Sequence, residues 1–161
     1  MTTHRLDRHD LMILRELQVN ARQTNQQLSE IVALSASACL ARVRRLERSG
    51  LVRAYVADLN LEKVAPYVEV VAQVTLRDHS PLDFRRFDQA VAAMPEIVEA
   101  LQVNGPFDYL VRIVCRDVPA YRDLIDALSG ADHGVERITS QVVLSRTKHF
   151  AGYPLERLEP A

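Results

Sequence analysis

The chain has 161 residues, of which 48% are apolar, 6% aromatic and 25% charged, the composition of an ordinary globular protein of one domain or two small ones. Disordered and fibrous classes are excluded. No apolar run approaches the roughly 18 residues of a membrane span, and the polar start Met1-Thr2-Thr3-His4-Arg5 lacks a signal peptide's apolar core. A cytoplasmic location with no membrane partner is expected. Cys39 and Cys115 lie far apart with no CxxC and no nearby Cys/His partner, so they read as buried small hydrophobes rather than a disulfide or a zinc site.

The net charge of −1 hides an asymmetry. Residues 1–60 hold nine Arg and no Lys against six Asp and Glu, a net +3, whereas residues 61–161 hold eleven basic against fifteen acidic residues, a net −4. A basic half that avoids Lys suits bidentate recognition of phosphate or guanine.

From Leu6 to Gln18 the spacing of Leu6, Met12 or Ile13, Leu14 and Leu17 predicts an amphipathic helix whose first turn Asp7 and Asp10 can cap. Thr24 with Gln27 is a capping-box pattern opening a second, short helix with Leu28, Ile31 and Val32. Ser35 opens a third, with Leu40, Val43, Leu46 and Glu47 on one face and Ser37, Ala38, Ala41, Arg44, Arg45 and Arg48 on the other, Arg42 on the flank. Ser49-Gly50 ends it, and residues 51–57 read as a short strand. These are the parts of a winged helix-turn-helix, in which small residues at the tip of the third helix let its backbone enter a major groove while arginines reach phosphates or a guanine edge. A three-helix bundle with a solvated Arg-rich face has the same periodicity.

A polar stretch over residues 58–63, closed by Pro66, separates this half from a second domain. Val68, Val70, Ala72, Val74 and Leu76 alternate as one strongly apolar face of a strand. Ser80-Pro81 with Asp83 starts a helix carrying Phe84, Phe87, Val91 and Met94, a stripe suited to cover that face. Pro95 ends the helix, and Ile97 to Val103 reads as a strand. The turn Asn104-Gly105-Pro106 joins it to a third, over Phe107, Tyr109, Val111, Ile113 and Cys115. Asp117 caps a helix with Tyr121, Leu124, Ile125 and Leu128, Gly130 ends it, and Val135 to Leu144 is the last strand. The order βαββαβ is that of a ferredoxin-like fold, with both helices on one face of an antiparallel sheet. Its other face, with Val71, Val98, Ala100, Leu110, Val114, Val142 or their alternates, reads as too apolar to stay exposed, so a second subunit is expected against it.

No catalytic constellation emerges. His4, His9, His79, His133 and His149 are scattered, no two at i, i+4, and GxSxG, GxxxxGK[ST] and GxGxxG do not occur, so neither an enzyme, nor a metal site, nor a cofactor is expected. Asp108 beside the Gly105 turn admits two readings, a cap of the hairpin turn or part of a site for the ammonium and carboxylate of an amino acid.

With these residues in hand the chain resembles the Lrp/AsnC, or feast/famine, family of regulators, from Leu6 to about Leu155. The carriers are Leu6-Asp7-Arg8-His9-Asp10 with Ile13-Leu14, the segment from Leu34 to Glu47 with Gly50, the hairpin from Val103 to Leu110, and Thr139-Ser140 with Val143-Leu144. Ala33 stands where that family usually has Gly, Ala36 and Ala38 where Pro or Thr is frequent, and Asn104 where Thr is frequent.

The resemblance implies an α+β protein with three parts. These are a helix-turn-helix DNA-binding domain over residues 1–58, a linker over 59–66, and a ferredoxin-like (RAM or AsnC-type) effector-binding and oligomerisation domain over 67–161. It implies a sequence-specific regulator that binds double-stranded DNA, assembles as a homodimer and then as an octamer, a tetramer of dimers, and responds to an amino acid or related metabolite. DNA contacts would come from Ser35, Ser37, Ala38, Ala41, Arg42, Arg44, Arg45 and Arg48. Effector contacts would come from Asn104, Gly105 and Asp108, and from Asp132, His133 and Glu136 before the last strand. An effector-independent architectural regulator, or a metabolic enzyme on the same ferredoxin-like fold, are the alternatives.

Overall fold

Short polar side chains set the helix starts. In the computed structural model, which describes residues 6–130 and 133–158, Asp7 and Asp10 form a reciprocal capping box at the head of α1 (Arg8–Val19). The Asp10 N–H donates to Asp7 at 3.0 Å and the Asp7 N–H to Asp10 at 3.2 Å. Thr24 and Gln27 do the same for α2 (Asn25–Ile31), and Ser35 caps α3 (Ala36–Arg48). Ile13, Leu28, Val32, Cys39 and Leu46 form the buried core of these helices, with Leu17, Leu34 and Val43 packed against it. Cys39 thus takes a core position that the helical wheel gave to Leu40, which is 37% exposed. Between α2 and α3 the chain turns at Ala33, whose φ of 53° lies in the left-handed region.

Two sequence expectations are corrected in this half. Residues 51–57 form no strand. Val52 packs on the helical core and the Tyr55 hydroxyl donates to Glu47 at 2.8 Å, but among the described residues no strand pairs with this backbone, and the Leu51 and Val52 N–H groups donate back to the Leu46 carbonyl. The second correction concerns the end of the chain. Contacts divide the molecule into two units, and residues 148–158 belong with residues 6–58, not with the ferredoxin-like unit of residues 59–147. Gln18 explains this: its side-chain amide donates to the Tyr153 carbonyl (3.3 Å) and accepts from the Tyr153 N–H (2.6 Å), as a neighbouring strand would, while Arg15 pairs with Glu156 at 2.5 Å. Gly152 permits the approach, because a Cβ there would lie 3.2 Å from the Gln18 side chain.

The second unit contains β1 (Val68–Leu76), α4 (Pro81–Ala92), β2 (Ile97–Gln102), β3 (Tyr109–Cys115), α5 (Val118–Leu128) and β4 (Val135–Val142), in the antiparallel sheet order β2-β3-β1-β4. Val70, Ala72, Val74 and Leu76 share one face with Tyr109, Val111, Ile113 and Cys115, and Phe87, Leu124 and Leu128 of the two helices close over them. The Phe87 and Tyr109 rings meet at 4.4 Å between centroids.

The open face of this sheet differs from expectation. Directly opposed residues in an antiparallel pair share a face, so Ala100, opposite Val111, and Val142, opposite Val70, belong to the helix side. Val71, Leu110 and Val114 do lie on the open side, beside an ionic cluster. Glu69, 8% exposed, is covered by Arg112 and Arg146. Arg112 Nε stands 2.9 Å from Glu69 but off the N–H axis, an ion pair without a directed hydrogen bond, and the same guanidinium reaches Glu99 at 3.5 Å.

Candidate functional site

The exposed edge of α3 begins with Ser35, Ala36, Ser37, Ala38 and Ala41, all small and all solvent-facing. Ser35 accepts the Ala38 N–H at 3.3 Å, which fixes the first turn without adding bulk. Arg44 and Arg48 follow on the exposed surface, with the Arg48 Nε donating to the Arg44 carbonyl at 3.1 Å. Arg42 and Arg45 are placed differently. Arg42 donates to Asp7 at 2.6 Å and to Asp10 at 2.8 Å, and one Arg45 nitrogen lies 2.6 Å from both Asp10 oxygens. Helical periodicity alone places Arg45 with the outward arginines. An angle about the α3 axis says nothing of the α1 terminus lying beside it.

Asp10 is 1% exposed, so this is a buried carboxylate with two guanidinium partners. The Asp10 backbone N–H and the Arg42 guanidinium hold the Asp7 carboxyl below its usual range. Asp7 and Asp10 in turn raise the Arg42 pKa. No signal in the composition points to this network; the pair Asp7 and Asp10 is visible only as a helix cap.

The described residues of the expected effector site lie on segments that flank the end of β1. Asp108 immediately precedes β3 and is tied to β1 twice: its N–H donates to the Val74 carbonyl at 2.9 Å, and its carboxylate accepts the Leu76 N–H at 2.7 Å. On the other side of β1, Leu76 pairs with Val135, and the Arg77 N–H donates to the Gly134 carbonyl at 2.8 Å. The hairpin with Asn104, Gly105 and Asp108 and the segment with His133 and Glu136 therefore flank one strand end. Glu136 and Asn104 are exposed, and His133 is half-buried. Asp132 lies outside the described residues. Gly105 has φ +132°, a conformation that disfavours any Cβ although space around it is open.

Asp108 caps through Leu76 rather than through its own turn, and its carboxylate faces His79. His79 Nε2 lies 3.1 Å from one Asp108 oxygen and 3.2 Å from the other. Beneath them the Tyr109 hydroxyl donates to Asp88 at 2.8 Å, and burial, that bond and the nearby carboxylates raise the Tyr109 pKa. Among the described residues no cluster of three or more His, Cys, Asp and Glu could hold a metal ion, and no helix is long and apolar enough to cross a membrane.

Comparison with known proteins decides the family. Residues 6–53 match the model of the winged helix-turn-helix DNA-binding domain, and residues 69–152 match that of the Lrp/AsnC ligand-binding domain. The chain belongs to the Lrp/AsnC family of transcriptional regulators. Among its Lrp/AsnC relatives, the leucine-responsive regulatory protein of Escherichia coli K12 is 40% identical over 143 residues, which are 89% of this chain and 87% of that protein. The transcriptional regulatory protein DoeX of Halomonas elongata is 38% identical over 144 residues, 89% of this chain and 91% of DoeX. A transcriptional regulator of Neisseria meningitidis, solved as its complex with L-Met, superposes with a TM-score of 0.85 at 36% identity, covering 96% of this chain and 99% of that one. An AsnC family regulator from Agrobacterium tumefaciens gives 0.86 at 30% identity, covering 96% and 100%. As an Lrp/AsnC protein the chain is a DNA-binding transcriptional regulator with a ligand-binding domain. The fold agrees with the βαββαβ order and the helix-turn-helix read from the sequence.

Proposed function

We propose that the chain is a cytoplasmic, non-enzymatic regulator without a cofactor that binds specific double-stranded DNA through α3 and responds to an amino acid or related metabolite. The observation that carries the DNA face is the run of exposed small residues at the head of α3 followed by Arg44 and Arg48. A small tip lets the helix backbone approach base edges, and guanidinium groups further along supply phosphate and guanine contacts. Ser35, Ser37, Ala38 and Ala41 are the groove-facing positions. The effector reading rests on the two segments that flank the end of β1, around Gly105 with Asp108 and around His133 with Glu136. The amino-acid class comes from relatives named as leucine-responsive and solved with L-Met.

The open sheet face supports assembly. Val71, Leu110 and Val114 with Leu101, which is 49% exposed, border the Glu69–Arg112 cluster, and a second copy is the occupant that meets apolar surface and charge of both signs. Dimers then join into an octamer, a tetramer of dimers. Two α3 helices on one dimer bind half-sites separated by about one DNA turn or a multiple of it.

Selective recovery of genomic DNA fragments by the purified protein, with and without each of the twenty amino acids, tests target and effector together. The expected result is a small set of enriched fragments whose recovery shifts with one amino acid or a few related ones. Enrichment that no amino acid alters, together with calorimetry showing no binding, would establish the effector-independent architectural alternative.

A further inference from the structure

The Arg42, Arg45, Asp7 and Asp10 network has a consequence for how the protein reads DNA charge. Four arginines stand on α3 between residues 42 and 48, but they are not electrostatically equal. Arg42 and Arg45, three apart, turn to the head of α1, where the capping box holds both carboxylates at the positions the guanidinium groups need. Arg44 and Arg48, four apart, are exposed, and among the described residues neither forms an ion pair.

We propose that Asp7 and Asp10 are an internal counter-charge that withholds Arg42 and Arg45 from the DNA backbone, leaving Arg44 and Arg48 as the phosphate-contacting arginines of this helix. The assignment rests on the reading of α3 as the DNA-facing helix. Its physical basis is the burial of Asp10, which is 1% exposed. An arginine that left Asp10 for a phosphate would exchange one charge-assisted pair for another of similar strength and would weaken the compensation of a buried carboxylate, so the exchange is unfavourable. Arg45 is 55% exposed along its side chain, so solvent access does not hold it in place; the carboxylate does.

The function of such a device is discrimination. Phosphate contacts supply binding to any sequence, and base-edge contacts supply preference. Halving the available charge of the recognition helix lowers the sequence-independent share, which raises the contrast between an operator and bulk DNA.

Salt dependence reads this directly, because each phosphate contact contributes about 0.9 to the slope of log K against log salt for duplex DNA. Binding of the full-length protein to a random-sequence duplex, followed by fluorescence anisotropy across a salt series, gives that slope for each variant. Arg44→Ala and Arg48→Ala are expected to flatten it by about 0.9 per bound subunit each, while Arg42→Ala leaves it unchanged. Asp7→Asn keeps a good N-cap, since Asn and Asp cap helices equally well. It frees Arg42 in part, steepens the slope and strengthens non-specific binding several-fold, and Arg42→Ala in the same chain returns the slope to that of the parent. Asp10→Asn should do the same for Arg45, with Asp7→Asn as the arm that stands if that buried change unfolds the domain. A flatter slope in Arg42→Ala, or a parental slope in Asp7→Asn, would overturn the counter-charge while leaving α3 as the DNA face. Unchanged slopes in both Arg44→Ala and Arg48→Ala would remove the α3 reading and this assignment with it.

Discussion

Asp108→Ala separates what this carboxylate does for the fold from what it does for an effector. The side chain is 16% exposed and accepts the Leu76 N–H at 2.7 Å, and Leu76 is itself fully buried, so the alanine variant leaves a buried amide without an acceptor. Such a loss costs about 1–3 kcal/mol, and the charge on the acceptor moves it toward the upper end. At about 1.4 kcal/mol per tenfold change, amide hydrogen exchange at Leu76 should accelerate roughly 5- to 150-fold. Asp108→Asn keeps an oxygen in place and gives up only the charge, for a loss of about 1 kcal/mol. His79→Ala removes the neighbouring imidazole and leaves the Leu76 bond intact. The expected order of Leu76 exchange is therefore alanine fastest, asparagine next, then the His79 variant close to the parent, measured by NMR on labelled full-length protein. Parental exchange in Asp108→Ala would refute the structural role. If effector binding were nevertheless lost in that variant, the carboxylate would belong to the effector alone.

Three further outcomes follow from particular residues. Ala33, with φ 53°, pays a left-handed cost of about 1–2 kcal/mol, of which glycine's extra unfolded-state freedom cancels roughly 0.5–1. Ala33→Gly should thus stabilise the helical unit by about 0.5–1 kcal/mol in urea unfolding, and equal or lower stability would count against strain at that turn. Phe87→Ala removes a fully buried ring whose centroid lies 4.4 Å from that of Tyr109, the two planes tilted by 45°, and should cost about 3–5 kcal/mol in the ferredoxin-like unit; a loss below about 1 kcal/mol would mean that the helix-covered core repacks freely. In an ultraviolet titration Tyr55, pushed up to about 12 by burial and by its bond to Glu47, and Tyr109, raised by burial and by Asp88, should ionise after an ordinary tyrosine of about 10. Both shifts are upward, so their stabilisation is complete below the unfolded value and fades as the pH rises through the folded one. Tyr55→Phe should remove one late-ionising group, and an unaltered titration would exclude that assignment.

Much of the fold was legible along the chain because its causes are local. Asp7 with Asp10, Thr24 with Gln27, Ser80 with Asp83, and the caps Ser35 and Asp117 each act on a backbone N–H three residues away, so sequence spacing alone determines them. The alternation of Val70, Ala72, Val74 and Leu76 and the stripe of Phe84, Phe87, Val91 and Met94 likewise assign faces without knowledge of what covers them. From these the order of helices and strands followed, and the small tip of α3 with it.

What tertiary structure decided involves partners about thirty or more residues apart. Periodicity gives the angle of Arg45 about its own helix, but whether that angle meets solvent or Asp10 depends on where α1 ends in space. The same limit separates Asp108 from Leu76 and His79, and Gln18 from Tyr153, contacts that give a turn residue to a strand end and the tail to the helical unit. On the open sheet face, alternation gives apolar positions, and only the register brings Glu69 and Arg112 together among them, with Arg146 reaching Glu69 from the segment after β4. Residues 51–57 have a strand's composition but, among the described residues, no partner strand, and a strand exists only where a second backbone takes up its hydrogen bonds.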